Sequence, residues 1–386
     1  MKKKLMYSAS AVIMLLVIIS CPGCKGITSS ITSGFNHVAN VVTNANARQQ
    51  YAREFTQDKE QLNLWETAYT NAITDSLDVT LPYGEKGTFA PYRNVAYSYI
   101  TELQEGEVLV ANVAKDSINQ RVFMDVFEDR NGIWQHAKSS TIAESSLEYE
   151  IAQTGRYKIV IQPEVLAASD FFISLNKRPL YTFPVAGKGN AAVGSFWGMD
   201  RDGGKRSHEG IDIFANRGTP VVAATNGSIS FTGERGIGGK QVWLRDGLFG
   251  KSLYYAHLDS IKVQSGASVK KGDTLGFVGN TGNARTTPPH LHFGIYRSGA
   301  VNPLPYVFQT SKVIEAAFAH NYKATQLKAK GVANLRKAPN TKAVTLGTLK
   351  ANDTIALLGQ HNDWLHIQTR VGQKAFVHKS LVKEMK

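Results

Sequence analysis

Arg206-Ser-His-Glu-Gly-Ile-Asp-Ile-Phe214 is the stretch on which the fold of the central third of this chain turns. It opens like the helical zinc signature H-E-x-x-H, in which two histidines one turn apart share a face and the Glu is a general base. His208 and Glu209 fit, but position 212 is Asp. Gly210 costs a helix about 1 kcal/mol relative to Ala, and Ile211 and Ile213 are β-branched. The segment therefore reads as extended. In a strand His208 and Asp212 share a face, because their spacing is even. A rise of about 3.3 Å per residue nevertheless leaves them roughly 13 Å apart. For both to reach one ion the chain must bend between them, and Gly210 permits a bend.

The chain has ten histidines, and His208, His257, His290 and His292 lie within 85 residues. Two of them belong to Pro288-Pro-His-Leu-His-Phe-Gly-Ile-Tyr296. Residues i and i+2 of a strand point to the same face, so His290 and His292 project together, with Leu291 and Phe293 opposite. Around them, Gly218-Thr-Pro220, Asn226-Gly227, Gly266, Gly272 and Gly276 punctuate short apolar runs such as Val221-Val-Ala-Ala224. Turn signals at this density point to an all-β domain. A lone histidine is usually structural, but two on one strand face with Asp212 and further histidines nearby favour a metal.

H-x-x-x-D followed about 80 residues later by H-x-H resembles the M23 family of zinc metallopeptidases, the lysostaphin/LytM type. The blocks between agree: Gly218-Thr-Pro-Val-Val-Ala223, Tyr255-Ala-His-Leu258, Val269-Lys-Lys-Gly-Asp273 and Gly276-Phe-Val-Gly-Asn-Thr-Gly282. The resemblance implies that His208, Asp212 and His292 hold Zn²⁺. It makes His257 and His290 the non-ligand histidines that assist catalysis, without dividing their tasks. It gives Glu209 no role as base. Two departures from the family pattern bear on the substrate groove. Asn283-Ala-Arg-Thr-Thr-Pro-Pro289 intervenes before His290, and Gln241-Val-Trp-Leu-Arg-Asp-Gly247 replaces a short strand that often carries a histidine.

The flanking regions also read as mainly β. After a tether at 21–48 rich in Ser, Thr, Asn and Ala, residues 49–76 carry a helical stripe of Tyr51, Phe55, Leu62, Trp65, Tyr69 and Ile73. Residues 77–177 alternate with period two, as in Val108-Leu-Val-Ala-Asn-Val113, and suggest an antiparallel β-sandwich without a catalytic constellation. The peptidase-like domain takes 178–310. A linker at 311–326 includes a short helix at 314–320. Residues 327–386 contain Asn334-Leu-Arg, Leu346-Gly-Thr-Leu349, Trp364 and Phe376-Val-His378, an order that resembles small bacterial SH3-like barrels. Trp364 is either a core residue of that barrel or a contact for glycan.

Lys2-Lys-Lys4, an apolar run from Leu5 to Ile19 and Ile18-Ile-Ser-Cys21 resemble a bacterial lipoprotein signal peptide spanning 1–20. The lipidated residue is then Cys21, with Cys24 as the alternative. The run is short for a membrane span. No other cysteine exists, which excludes disulfides and thiolate metal sites from the rest of the chain. The formal charge of +13 is concentrated late, since residues 322–386 hold 12 Lys/Arg against 3 Asp/Glu. This suggests an anionic partner, the alternative being a solvated basic surface, and the export signal favours an envelope polymer over nucleic acid. The expected protein is a lipid-anchored cell-envelope zinc endopeptidase. It would hydrolyse peptide bonds of peptidoglycan stems or cross-links by zinc-activated water with histidine assistance. The alternatives are a non-catalytic LytM-like regulator of cell-wall amidases and a peptidase acting on proteins.

Overall fold

The computed structural model describes residues 45–117, 119–141, 144–201, 203–247, 250–310 and 325–385. The signal segment, Cys21, Cys24, nearly all of the tether and the helix expected at 314–320 lie outside the described residues. No described helix is long and apolar enough to cross a membrane.

The helical stripe falls on two helices rather than one, Ala47–Glu54 and Lys59–Thr74. Asn46 opens the first with a capping box to Gln49, and the Asp58 side chain accepts from Gln61 N to open the second. An acidic N-cap so soon after Phe55 favours a fresh start over continuation. Buried Lys158 ends the second helix by donating to the carbonyls of Ile73 and Asp75, where a cation meets the negative end of the helix.

Both helices cover one face of a four-stranded sheet made of Tyr97–Leu103, Gly155–Pro163, Val122–Arg130 and Ile133–Ser139. That is why Val122–Phe127 is buried on both faces, with Asp125 as its one polar residue accepting from the Tyr69 hydroxyl. Phe123 and Phe127 sit under Tyr51, Trp65, Tyr69 and Ala72, whereas Val122, Met124 and Val126 face the sandwich core.

The second sheet runs in the order Ser146–Glu150, Glu107–Lys115, Ser169–Pro179, Tyr83–Phe89. It does not end there. Lys86 pairs with Gln360, so strand Thr354–His361 of the last unit extends it, followed by Trp364–Gln368, Lys374–His378, Ala333–Arg336 and Thr345–Leu349. Leu358 and Phe376 belong to the sandwich core, with Trp364 packed half-buried against it. The small barrel is thus built onto the sandwich rather than hung beside it, and Trp364 serves that junction.

Residues 180–307 form their own core. Its main sheet runs Ser268–Val269, Gly227–Glu234, Lys240–Arg245, Ser252–Ile261, His290–Tyr296, Ile211–Phe214, Val193–Ser195. Leu291, Phe293 and Ile295 point into that core and are fully buried, which turns His290 and His292 to the other face. This domain docks on the sandwich at Gly106, whose φ is +93° and where a Cβ would lie 2.4 Å from the Tyr306 ring. Only Gly serves at that position. The Tyr306 hydroxyl donates to Glu105 Oε1 at 2.6 Å beside it.

Candidate metal centre

Strand pairing brings the site together. Asp212 lies directly opposite His292 and Phe214 directly opposite His290 in the antiparallel pair. Opposed residues on one face have Cβ atoms about 5 Å apart, so a carboxylate and an imidazole placed there meet. His208 precedes the strand, and the bend falls at Gly210. Gly210 is required less for the bend than for room. A Cβ there would stand 2.6 Å from the Phe293 carbonyl oxygen and 2.7 Å from the His292 ring.

Three donor atoms form a triangle with equal sides. His208 Nε2 to Asp212 Oδ1, His292 Nδ1 to Asp212 Oδ1, and His208 Nε2 to His292 Nδ1 are each 3.0 Å. Ligands about 2.0–2.1 Å from a tetrahedral Zn²⁺ stand roughly 3.3 Å from one another, so the triangle fits that ion with a small expansion. Three ligands of this type leave a fourth position open. Among the described residues, these three are the group able to hold a metal.

The far side of each ring is held by backbone or packing. Nδ1 of His208, His257 and His290 lies 2.8, 2.9 and 2.9 Å from the carbonyls of Phe196, Thr281 and Pro288. A carbonyl only accepts, so each Nδ1 carries the proton and Nε2 is left as the acceptor. His290 Nε2 stands 4.0 Å from Asp212 Oδ1, and the His257 ring lies 5.1 Å from His290 and 5.8 Å from His292. His292 instead turns Nδ1 inward.

Electrostatics follow from this enclosure. Burial alone would raise the Asp212 carboxyl, but its close contacts with the His208 and His292 rings outweigh it and hold the group well below the usual carboxylate range. Burial, then the neighbouring His292 and His290, push His257 down to about 4. His292 is lowered as well, chiefly by burial. At neutral pH His257 and His292 are therefore uncharged, the form an imidazole needs to bind a metal or accept a proton.

His257 is the residue whose placement is least expected. Its φ is +62°, in the left-handed region, within a strand whose register slips on both sides. A bulge of this kind re-aims a side chain, and here it turns His257 into the site. A non-glycine residue held there costs about 1 kcal/mol or more. Glycine at this position should therefore be better tolerated than alanine. His257→Gly is expected to be about 1 kcal/mol more stable than His257→Ala in urea unfolding, with both variants losing the imidazole. Equal stabilities would remove the claim of strain.

The cavity over the triangle has a volume of about 650 Å³, with Arg201, Arg206, Tyr254, Phe214 and Tyr296 in its walls. Glu209 lies on the rim, exposed, with its carboxylate 3.4 Å from the Tyr296 hydroxyl and outside the triangle. Two contributors were not signalled by any motif. Arg201 donates to Asp212 Oδ2 at 2.8 Å and to Ser195 Oγ at 2.5 Å.

Residues 206–303 match the family described as Peptidase family M23, and residues 331–383 match that described as Bacterial SH3 domain. An L-Ala–D-Glu endopeptidase of Bacillus subtilis is 33% identical over 140 residues, covering 33% of this chain and 43% of that protein. A DD-carboxypeptidase/endopeptidase Mpg of Neisseria meningitidis is 40% identical over 141 residues, covering 35% of this chain and 31% of that protein. The solved catalytic domain of lysostaphin from Staphylococcus simulans is 35% identical over 29% of this chain and 89% of that one, with a TM-score of 0.27. The matches thus span less than half the length of the two curated relatives. They fall on the domain that gathers His208, Asp212 and His292: the chain carries a peptidase family M23 domain at 206–303, followed by a bacterial SH3 domain at 331–383.

Proposed function

We propose that this protein is a zinc-dependent endopeptidase that hydrolyses peptide bonds in peptidoglycan stem peptides or cross-links. The observation that carries the reading is the 3.0 Å triangle of His208, Asp212 and His292 at the foot of an open cavity, with two more imidazoles beside it. The names of the relatives, an L-Ala–D-Glu endopeptidase and a DD-carboxypeptidase/endopeptidase, support the substrate class.

A zinc ion held by these three residues would act as a Lewis acid on the scissile carbonyl and favour ionisation of water. The chain's own residues supply the rest. His257 and His290 each commit Nδ1–H to a backbone carbonyl and present Nε2 as an acceptor. A neutral imidazole so placed takes a proton from the attacking water and returns it to the leaving amine. Once protonated, the ring hydrogen-bonds the developing oxyanion. Tyr254 and Tyr296 line the wall toward Trp243, their rings 4.5–6.3 Å from one another, and exclude water from one side of the groove.

The reading extends to location. We infer a lipid-anchored envelope protein from the lysine-led apolar run and Cys21, or Cys24, of the sequence. An anchor there would hold the cavity near the wall.

Digestion of purified peptidoglycan tests the whole reading. Protein lacking residues 1–24 should release peptide fragments with new termini, identified by mass spectrometry, and chelator should stop the release. Digestion indifferent to chelator, or none at all with zinc-loaded protein, would overturn it.

A further inference from the structure

No sequence motif marks residues 195–201, yet they wrap the outer side of the candidate metal centre. Ser195 pairs with Asp212 across the edge strand. His208 N donates to the Met199 carbonyl at 2.8 Å, and Gly198 N donates to the His208 carbonyl at 2.9 Å. The Phe196 carbonyl accepts from His208 Nδ1 at 2.8 Å. Arg201 closes the segment, with one nitrogen, Nη2, serving both Asp212 Oδ2 at 2.8 Å and Ser195 Oγ at 2.5 Å. The Arg201 side chain is 29% exposed and that of Asp212 11%.

The two oxygens of Asp212 therefore do different things. Oδ1 faces the two histidine nitrogens at 3.0 Å, and Oδ2 faces the guanidinium. We propose that Arg201 is a positioning residue that holds Asp212 as a one-oxygen metal ligand. The inference rests on reading His208, Asp212 and His292 as a metal centre. A carboxylate binds metals through one oxygen or both. Freed from Arg201, Asp212 would rotate and bring Oδ2 inward, into the fourth position that a catalytic site keeps open for water or substrate. With Oδ2 committed to the cation, that rotation breaks a charge-assisted hydrogen bond in a mostly buried place. Partners of this outer kind orient ligands and commonly change metal affinity by about 10–100-fold when lost.

Arg201 also lines the cavity, so a competing role is to bind a carboxylate of the substrate. The geometry favours the ligand. Nη2 is already engaged twice in the wall, and the acceptor it shares with the centre is the metal-binding group itself.

The test compares the parent chain with Arg201→Gln and Arg201→Lys by zinc affinity in chelator competition and by the visible spectrum of the Co²⁺-substituted proteins. Arg201→Gln is expected to change zinc affinity by about tenfold. Its cobalt bands should lose intensity, as entry of the second carboxylate oxygen raises the coordination number. Arg201→Lys, which keeps a cation opposite Oδ2, should return most of the way to the parent affinity and spectrum. Removing a positive charge beside a divalent ion would by itself tighten binding. The cobalt spectrum is therefore decisive, and an unchanged spectrum in Arg201→Gln, whatever its affinity, overturns the proposal. If that variant then shows only a raised KM, Arg201 is a substrate contact instead. A parent protein that binds no zinc overturns the metal-centre reading together with this one, whereas a zinc-binding parent and an indifferent Arg201→Gln sink only this one.

Discussion

Asp212→Ala is expected to lose stoichiometric zinc and to cut peptide release from purified peptidoglycan at least about 10³-fold, equivalent to about 4 kcal/mol of barrier. The size of the effect follows from where the residue stands. Oδ1 is one corner of the 3.0 Å triangle and the sole anionic donor in it. Two histidines alone make a poor site for a divalent ion. The substitution also strands the Arg201 guanidinium beside two imidazoles, so a cation takes over the local field. Asp212→Asn separates these effects, because it keeps the size and the contact to Arg201 while removing the charge. Both variants should fail to hold zinc in equilibrium dialysis, and the circular dichroism of Asp212→Asn should match the parent. Activity within tenfold of the parent in either variant would exclude Asp212 as a ligand. His290→Ala should behave differently, retaining zinc and losing turnover, since its Nε2 stands 4.0 Å from Asp212 Oδ1 and outside the triangle.

The centre was legible where it depends on local rules. Even spacing puts His290 and His292 on one strand face, and the helix-breaking Gly210 with β-branched Ile211 and Ile213 argues for extended chain. Once the resemblance puts His208 and Asp212 on one ion, strand rise demands a bend between them, and the chain bends at Gly210. What stayed hidden depends on contacts that no spacing encodes. The left-handed backbone of His257 arises from register slips against two neighbouring strands, one of them at residues 240–242. Arg201 reaches Asp212 only because Ser195 pairs opposite it. The single helical stripe at 49–76 was a period read correctly and a boundary missed, because Asp58 as an N-cap competes with helix continuation. The union of barrel and sandwich was invisible for a further reason. A pairing such as Lys86 with Gln360 joins strands far apart in the chain, and either strand alone reads as the edge of its own unit.

That union rests on a buried polar cluster whose disruption should carry the largest stability cost in the chain. Glu85 and His366 are both fully buried, with Glu85 Oε1 3.0 Å from His366 Nδ1. The hydroxyls of Tyr83 and Tyr99 donate to Oε2 at 2.5 and 2.9 Å. Burial would raise the Glu85 carboxyl, but the charge and hydrogen bond of His366, then the two tyrosines, lower it overall. Glu85→Ala leaves an imidazole and two hydroxyls without their acceptor in a dry place and should destabilise the protein by about 3–5 kcal/mol. Glu85→Gln keeps the shape and should cost less, about 1–3 kcal/mol. Replacing both partners by leucine removes the acid and the imidazole together but still strands the two tyrosine hydroxyls, so it should cost less than Glu85→Ala without reaching the parent. Because the cluster bridges two units, hydrogen exchange is the informative readout. In Glu85→Ala, strand Trp364–Gln368 should lose protection while strand Ile211–Phe214, in a separate core, keeps it. The sign with pH follows from the lowered carboxyl. Its contribution is complete above the unfolded value of about 4.5 and is lost as pH falls through the folded one, so the parent and Glu85→Ala should converge on acidification. A cost below about 1 kcal/mol at neutral pH, or uniform loss of protection in both strands, would show that the pairing at Lys86 and the shared apolar residues Leu358 and Phe376 hold the barrel without this cluster.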